Sequence, residues 1–483
     1  MYEFIVAFWP HLVVIVDVAI SLVASGHVVL NKRDTRAAIG WAAIIWLSPL
    51  LGTLLYVLFG VNRISRRAQT LRSRQPQPPT SRGLIVESLD SLRESLGPQG
   101  VSLETQATLV AEVTELPLLA GNRIEPLVNG CQAYPAMLAA IDAAEKTITM
   151  TTYIFDNDAS GALFQQAFAR AVKRGVDVRV IVDDVGRRYS WNSIVPALQA
   201  AGVRVARFLP AFVLGHFRYS NLRSHRKILV IDGRIGFTGG MNIRHGNTLE
   251  ESCSHPIQDL HFRIEGPVVG QMQETFAVDW GFCTGEILCG EGWLPRLGAV
   301  GPVLARGIPD GPDEGFEKLR LTLLGALASA QRSVMIVTPY FIPDDAILQA
   351  INVAAMRDIE VDIVIPKKNN LRMVQWAMFP TVRLLLDTDV HIWQSAPPFD
   401  HSKICVVDGA WSLIGSANWD ARSLRLNFEF NVEAYDRQLA SQLETLVREK
   451  IRSSTPLTAA DLDNRSLFYK LRDGVVRLAS PYL

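Results

Sequence analysis

One eighteen-residue pattern occurs twice, and this repetition constrains the fold more than any other feature of the chain. Residues 225–242 read HRKILVIDGRIGFTGGMN, and residues 401–418 read HSKICVVDGAWSLIGSAN. The windows align without a gap, matching His225 with His401, Lys227 with Lys403, Asp232 with Asp408 and Asn242 with Asn418. The chain has only nine histidines in 483 residues, so two H-x-K-x4-D runs with the same trailing glycines are not chance. The surroundings repeat as well. In the first copy 147–155, 176–184 and 203–208 read as strands, with helical periodicity at 162–175 and 194–201. In the second, helical runs at 318–331 and 347–357 precede strand-like runs at 333–345 and 361–368, and 389–394 follows. A period of about 170 residues is too long for a solenoid and predicts two fused α/β domains. Mixed sheets flanked by helices, related by a pseudo-twofold, are expected.

The spacing has a chemical reading. In an extended segment positions i and i+2 share a face, so each His and its Lys project together. Asp232 and Asp408 have the opposite parity and precede a Gly turn, so they are read as braces within the catalytic set His225, Lys227, Asp232, His401, Lys403 and Asp408. Asn242 and Asn418 return an amide towards the same face. Further on, Asp259 and Glu429 hold one register relative to the later Glu274-Thr275 and Glu444-Thr445 pairs. They are the candidate acceptors for the second nitrogen of each imidazole.

Packed about a pseudo-twofold, such halves gather two His, two Lys and two Asn around one point. That set suits a tetrahedral phosphate with growing negative charge. Two imidazoles suit double displacement, one attacking phosphorus while the other protonates the leaving oxygen and then deprotonates the incoming hydroxyl. Lys supplies the positive charge, so no metal and no cofactor is expected. A lone His-x-Lys is usually a solvated edge, but duplication removes that reading. A His-based metal site lacks the H-x-H, H-x3-H and E-x-x-H spacings.

The N-terminus is apolar at 4–24 and again at 37–60. Neither a basic leader nor an A-x-A cleavage site marks a signal peptide, and two transmembrane helices are expected, with a shallow or re-entrant hairpin as the alternative because His11 and Asp17 are costly against lipid. Arg63, Arg66, Arg67, Arg72, Arg74 and Arg82 follow with no acid among them, which places the remainder in the cytoplasm. Lys32, Arg33 and Arg36 between the apolar runs weaken that bias. Residues 73–83 are a Pro- and Ser-rich linker. The expected organisation is a membrane segment at 1–62, a linker with short helices at 63–116, and domains at 117–300 and 301–483. The 48 basic and 48 acidic residues balance, which argues against a nucleic-acid partner. Five scattered cysteines without a C-x-x-C pair fit neither a disulfide scaffold nor a zinc module. The tail at 467–483 mixes apolar and basic residues. It is read either as a contact to anionic lipid or as a helix packed on the second domain.

The paired motifs, with the phrases GSANWDARS and LNFEFN and the membrane segment from Thr35 to Gly60, resemble the bacterial cardiolipin synthases of the phospholipase D superfamily. The resemblance covers nearly the whole chain. It implies phosphatidyl transfer between two phosphatidylglycerol molecules, giving cardiolipin and glycerol through a phosphohistidine. It further implies His225 as nucleophile, His401 as acid and base, and Lys227, Lys403, Asn242 and Asn418 around the phosphate. The setting would be the bacterial inner membrane, multi-pass, with phosphatidylglycerol and an anionic bilayer as partners. The alternatives are a phospholipid hydrolase, another phosphatidyltransferase, or a membrane-tethered lipid-binding scaffold. The sequence leaves the oligomeric state open.

Overall fold

The computed structural model describes residues 2–32, 35–60, 92–94, 96–186, 192–209, 222–253, 255–312 and 317–480. The arginines from Arg63 to Arg82 and the 73–83 linker lie outside these residues.

The first apolar run forms one helix, Tyr2–Asn31, whose segment His11–Asn31 is the one described stretch long and apolar enough to cross a membrane. The second run forms no single helix long enough to span. It forms a helix Thr35–Leu47, breaks at Ser48, and resumes as Pro49–Leu55 followed by a π turn Tyr56–Gly60. Pro49 disfavours helical geometry at the residue before it, and Ser48 sits at φ −149°, ψ 82°. The chain then folds back on itself. A Cβ at Gly52 would lie 2.3 Å from the Ile44 carbonyl oxygen, so only glycine permits the approach. Trp41 and Tyr56 meet at 5.5 Å between ring centroids, and Tyr56 Oη bonds His27 Nδ1 at 2.8 Å, tying the hairpin to the first helix. The 13-residue arm Thr35–Leu47 spans about 20 Å, short of the ~30 Å hydrocarbon layer.

Beyond the membrane end, the first half carries β1 (Leu119–Val128), β2 (Thr147–Thr152), β3 (Asp177–Asp183), β4 (Arg204–Phe208), β5 (Arg223–Ser224), β6 (Ile228–Ile231), β7 (Ile235–Gly239), β8 (Ile257–Gln258) and β9 (Leu260–Glu265). The second half carries β10 (Val303–Asp310), β11 (Ser333–Val337), β12 (Phe341–Ile342), β13 (Glu360–Pro366), β14 (Val390–Ser395), β15 (Phe399–Asp400), β16 (Ile404–Val407), β17 (Trp411–Gly415), β18 (Trp419–Asp420), β19 (Asn427–Tyr435) and β20 (Thr455–Leu457). One sheet runs through both halves in the order β4-β3-β2-β6-β7-β9-β1-β10-β19-β17-β16-β11-β13-β14-β20. Equivalent strands lie at mirrored places in that order, so a pseudo-twofold passes between β1 and β10, which pair antiparallel. Helices cover both faces of the sheet, which is why β2 and β19 are buried along their whole length.

Each motif turns at Asp-Gly. Asp232 and Gly233 (φ 50° and 63°) and Asp408 and Gly409 (φ 54° and 60°) form two-residue turns with both central φ angles positive. They are closed by Arg234 N–H to the Ile231 carbonyl (2.9 Å) and by Ala410 N–H to the Val407 carbonyl (3.1 Å). The Asp232 carboxylate accepts the backbone N–H groups of Glu145, Lys146 and Thr147 at 2.7–2.9 Å. Asp408 does the same for Gln331, Arg332 and Ser333 at 2.7–3.0 Å. These aspartates fasten the entry of β2 and β11 to the turn. A strand separates them from the histidines of their own motifs.

Candidate active site

His225 and Lys227 stand on the extended lead-in to β6, and His401 and Lys403 on the lead-in to β16, rather than within the strands themselves. What fixes them is an exchange between halves. β5, just before His225, pairs with the start of β19 in the second half. β15, just before His401, pairs with β8 in the first. His225 N–H donates to the Phe428 carbonyl (2.8 Å) and His401 N–H to the Gln258 carbonyl (2.7 Å). Each histidine is thereby pinned one residue short of an acid in the opposite half. The side chains complete the exchange. His225 Nδ1 lies 3.0 Å from both carboxylate oxygens of Glu429, and His401 Nδ1 lies 2.8 Å from Asp259 Oδ2. The two rings face each other edge-on with centroids 6.5 Å apart.

All six groups are buried, and that sets their charges. Burial lowers His225 to about 4 against the pull of Glu429, and burial with nearby Lys403 takes His401 well below the ordinary imidazole range. Lys227 is lowered to about 7 and Lys403 to about 8, again mainly by burial. Their Nζ groups donate back to the His225 carbonyl (2.7 Å) and to the His401 carbonyl, so each lysine closes over its own histidine. The two acids differ. Burial raises the Glu429 carboxyl, but His225 and Lys227 outweigh it and hold the group below its ordinary value. Ser416 Oγ (2.6 Å) and Asn427 Nδ2 (3.1 Å) also donate to it. Asp259 receives its own neighbour's N–H, from Leu260 (2.8 Å), and burial pushes it up to about 7. Gly240 occupies the place of Ser416 in the first half, where a Cβ would lie 2.1 Å from Asp259 Oδ1.

The asparagines are anchored to the frame beside this cluster. Asn242 Oδ1 accepts from Ile154 N–H (3.1 Å), and Asn418 Nδ2 donates to Ser423 Oγ (3.2 Å). Four further residues lie at the site although the motif does not contain them as functional positions. Tyr153 and Tyr340, which follow β2 and β11, set their rings 5.3 Å and 6.3 Å from His225 and His401. Their occurrence in TTYIF and TPYFI is the signal that could have found them. Arg226, fully buried, donates to the Glu429 carbonyl (3.0 Å), the Asp310 carbonyl (3.1 Å) and Asp279 (2.5 Å), riveting the first motif to the second half. Phe399 stacks on Tyr340 and stands 5.9 Å from His401. Arg218, Tyr219 and Asn221, which stand just before the first motif in the sequence, lie outside the described residues.

The comparisons with known proteins agree with one another. A family model described as cardiolipin synthase, PLD-like domain, matches residues 137–280 and 323–451, and a phospholipase D-nuclease N-terminal model matches 19–60. A cardiolipin synthase A of Pseudomonas putida (strain GB-1) is 32% identical over 475 residues, 96% of each chain. A cardiolipin synthase of Geobacillus thermodenitrificans is 31% identical over 466 residues, 94% of this chain and 90% of that one. The crystal structure of a phosphatidylserine synthase from Haemophilus influenzae Rd KW20 superposes with a TM-score of 0.62 at 14% identity, covering 78% of this chain and all of that one; it shares the fold. With both halves matched and relatives aligned along nearly their full length, the chain belongs to the cardiolipin synthase family of phospholipase D-like proteins.

Proposed function

We propose that this chain makes cardiolipin and glycerol from two phosphatidylglycerol molecules by double displacement at His225. The observation that carries the reading is the pair of imidazoles, 6.5 Å apart, each held by an acid of the other half. A carboxylate can only accept, so Glu429 fixes the proton of His225 on Nδ1 and leaves the Nε2 lone pair for phosphorus. The Asp259–His401 pair holds one proton more, because Asp259 is raised to about 7. That pair is the acid. In the first step Nε2 of His225 bonds phosphorus, the bond from phosphorus to the headgroup oxygen breaks, and His401 passes its Nε2 proton to the departing glycerol. In the second, His401 takes the proton from the headgroup hydroxyl of another phosphatidylglycerol. That oxygen attacks phosphorus and the P–N bond breaks. Lys227 and Lys403 carry the positive charge opposite the phosphoryl oxygens, with Asn242 and Asn418 beside them. Asp232 and Asp408 position the motif. The halves at 117–300 and 301–483 contribute equally, so neither acts alone.

The membrane reading follows from the N-terminus. The helix Tyr2–Asn31 crosses the inner membrane, and the hairpin after it re-enters on the side where that helix ends. The basic residues that follow in the sequence, by the positive-inside rule, make that side cytoplasmic. The test is the purified full chain in mixed micelles with EDTA and labelled phosphatidylglycerol. Cardiolipin and glycerol in equal amounts support the reading. Phosphatidic acid instead makes water the acceptor and the protein a hydrolase, and no turnover without added metal counts against the paired-histidine mechanism.

The charges of the free site give a pH dependence with a definite sign. Lys227 (about 7), Lys403 (about 8) and the Asp259–His401 pair all act in their protonated forms, so each is lost as pH rises through its own value. We expect kcat/KM to fall at least about tenfold between pH 7 and 9. A bound phosphodiester anion favours the protonated forms, so kcat should hold to higher pH. A kcat/KM flat to pH 9 would contradict the assignment.

A further inference from the structure

We infer that the paired helices Arg372–Arg383 and Leu467–Leu478 form a docking face that seats the mouth of the active site on an anionic lipid leaflet. The inference rests on the lipid substrate proposed above. Leu467, Leu471, Val475 and Leu478 are 60–82% exposed, and their spacing puts them on one side of the helix. The other side is packed. Val476 meets the core of the second half, and the buried Asp473 takes Arg465 (2.6 Å) and Arg472 (2.7 Å). The helix is thus packed on one side and exposed on the other.

The direction of the pair matters more than its exposure. Asp463 bonds Arg383 (2.8 Å), Arg465 lies 4.4 Å over the Phe379 ring, and Arg472 lies 4.1 Å over Trp376. The helices therefore run antiparallel, and continuing the series carries Val475 and Leu478 towards the start of the helix Arg372–Arg383. There Leu371 and Met373 are exposed too (44% and 50%). Next to them Asn370 Oδ1 accepts from Tyr340 Oη (2.9 Å), and Tyr340 is the ring beside His401. An apolar stripe about 16 Å long thus ends at the rim of the catalytic cluster.

Charge decides between occupants. Arg465 and Arg472 are taken up by Asp473 on the packed side, which leaves Lys470 and Arg477 flanking the apolar stripe with no acid among residues 464–480 besides Asp473. Two copies of such a face, set together on a twofold, would oppose like charges. A leaflet rich in phosphatidylglycerol is attracted.

The test uses the full chain carrying Leu471→Asp and Val475→Asp together, with thermal unfolding as the control for folding. On phosphatidylglycerol in bilayer vesicles kcat/KM should fall at least tenfold, while on monodisperse short-chain phosphatidylglycerol it should change less than twofold. Equal losses on both substrates, or no loss on vesicles, overturn the proposal. A second measurement needs no activity. Leu471 is replaced by benzoylphenylalanine, with the exposed Val353 as control, and the chain is irradiated in phosphatidylglycerol vesicles. Lipid adducts at 471 and not at 353 support the face; adducts between two protein chains overturn it. Wild-type chain inert on both substrates with lipid adducts at 471 would sink the proposed reaction and leave the docking face standing.

Discussion

His225→Ala should abolish transfer, with kcat lower by at least about 10⁴-fold, some 5.5 kcal/mol of barrier, and leave the thermal unfolding of the chain unchanged. In the proposed mechanism the two histidines act in sequence on one phosphorus, so His401→Ala should cost about as much in steady state and the two losses should not add. A burst experiment separates them. A phosphatidyl ester of p-nitrophenol has a leaving group that needs no proton. With it, His401→Ala should release one equivalent of nitrophenol and hold the phosphatidyl group on His225, since no base remains to activate the second alcohol. His225→Ala should give no burst and no labelled protein. The converse pattern would reverse the roles. The geometry behind the expectation is the unequal pair of acids. Glu429 has three donors and stays ionised, while Asp259, beside Gly240 in place of a serine, does not hold its charge to the same degree.

The parts of this site that were legible in the sequence are those fixed by short spacing. His-x-Lys, the Asp-Gly turn and the trailing Asn sit within eighteen residues, so their mutual placement follows from one hairpin whose turn chemistry is local. Asp259 and Glu429 were legible as acids in register because each lies a constant distance from a later helix. Their partners were not. That Glu429 serves His225 and Asp259 serves His401 depends on β5 and β15 crossing to the opposite half, a tertiary pairing without a periodicity. Arg226 was hidden for the same reason: in the second motif its place is taken by Ser402, which bonds Asp400 within its own half. The second apolar run stayed open between a span and a re-entrant hairpin because hydropathy and length are blind to backbone geometry. Its 24 residues read as a span, yet Ser48-Pro49 interrupts the helix and Gly52 lets the chain double back. The Pro was visible, but a proline-kinked span and a hairpin have the same composition.

The crossed acids lead to the second large effect. Both oxygens of Glu429 already receive donors: Asn427 and His225 at Oε1, Ser416 and His225 at Oε2. Glu429→Gln keeps the shape but removes the charge that stabilises the ring as it takes on phosphorus, and it sets an NH₂ among those donors. The imidazole is then driven to the wrong tautomer, or its N-phospho form loses its counter-ion. Either route should slow attack by about 10³-fold. The reading that each acid serves its own half predicts a different victim. The burst in the His401→Ala background reports attack by His225 alone, free of the second step. There Glu429→Gln should slow the burst by about 10³-fold, while Asp259→Asn, whose partner ring is already gone, should change it less than tenfold. In the enzyme with both histidines, Asp259→Asn should instead lower steady-state turnover and flatten the fall of kcat/KM above pH 7, because one of the titrating protons has been removed. If Asp259→Asn were the substitution that suppressed the burst, His225 would depend on the acid of its own half. The interlocked site, and with it the argument that the two halves cannot work apart, would then fail.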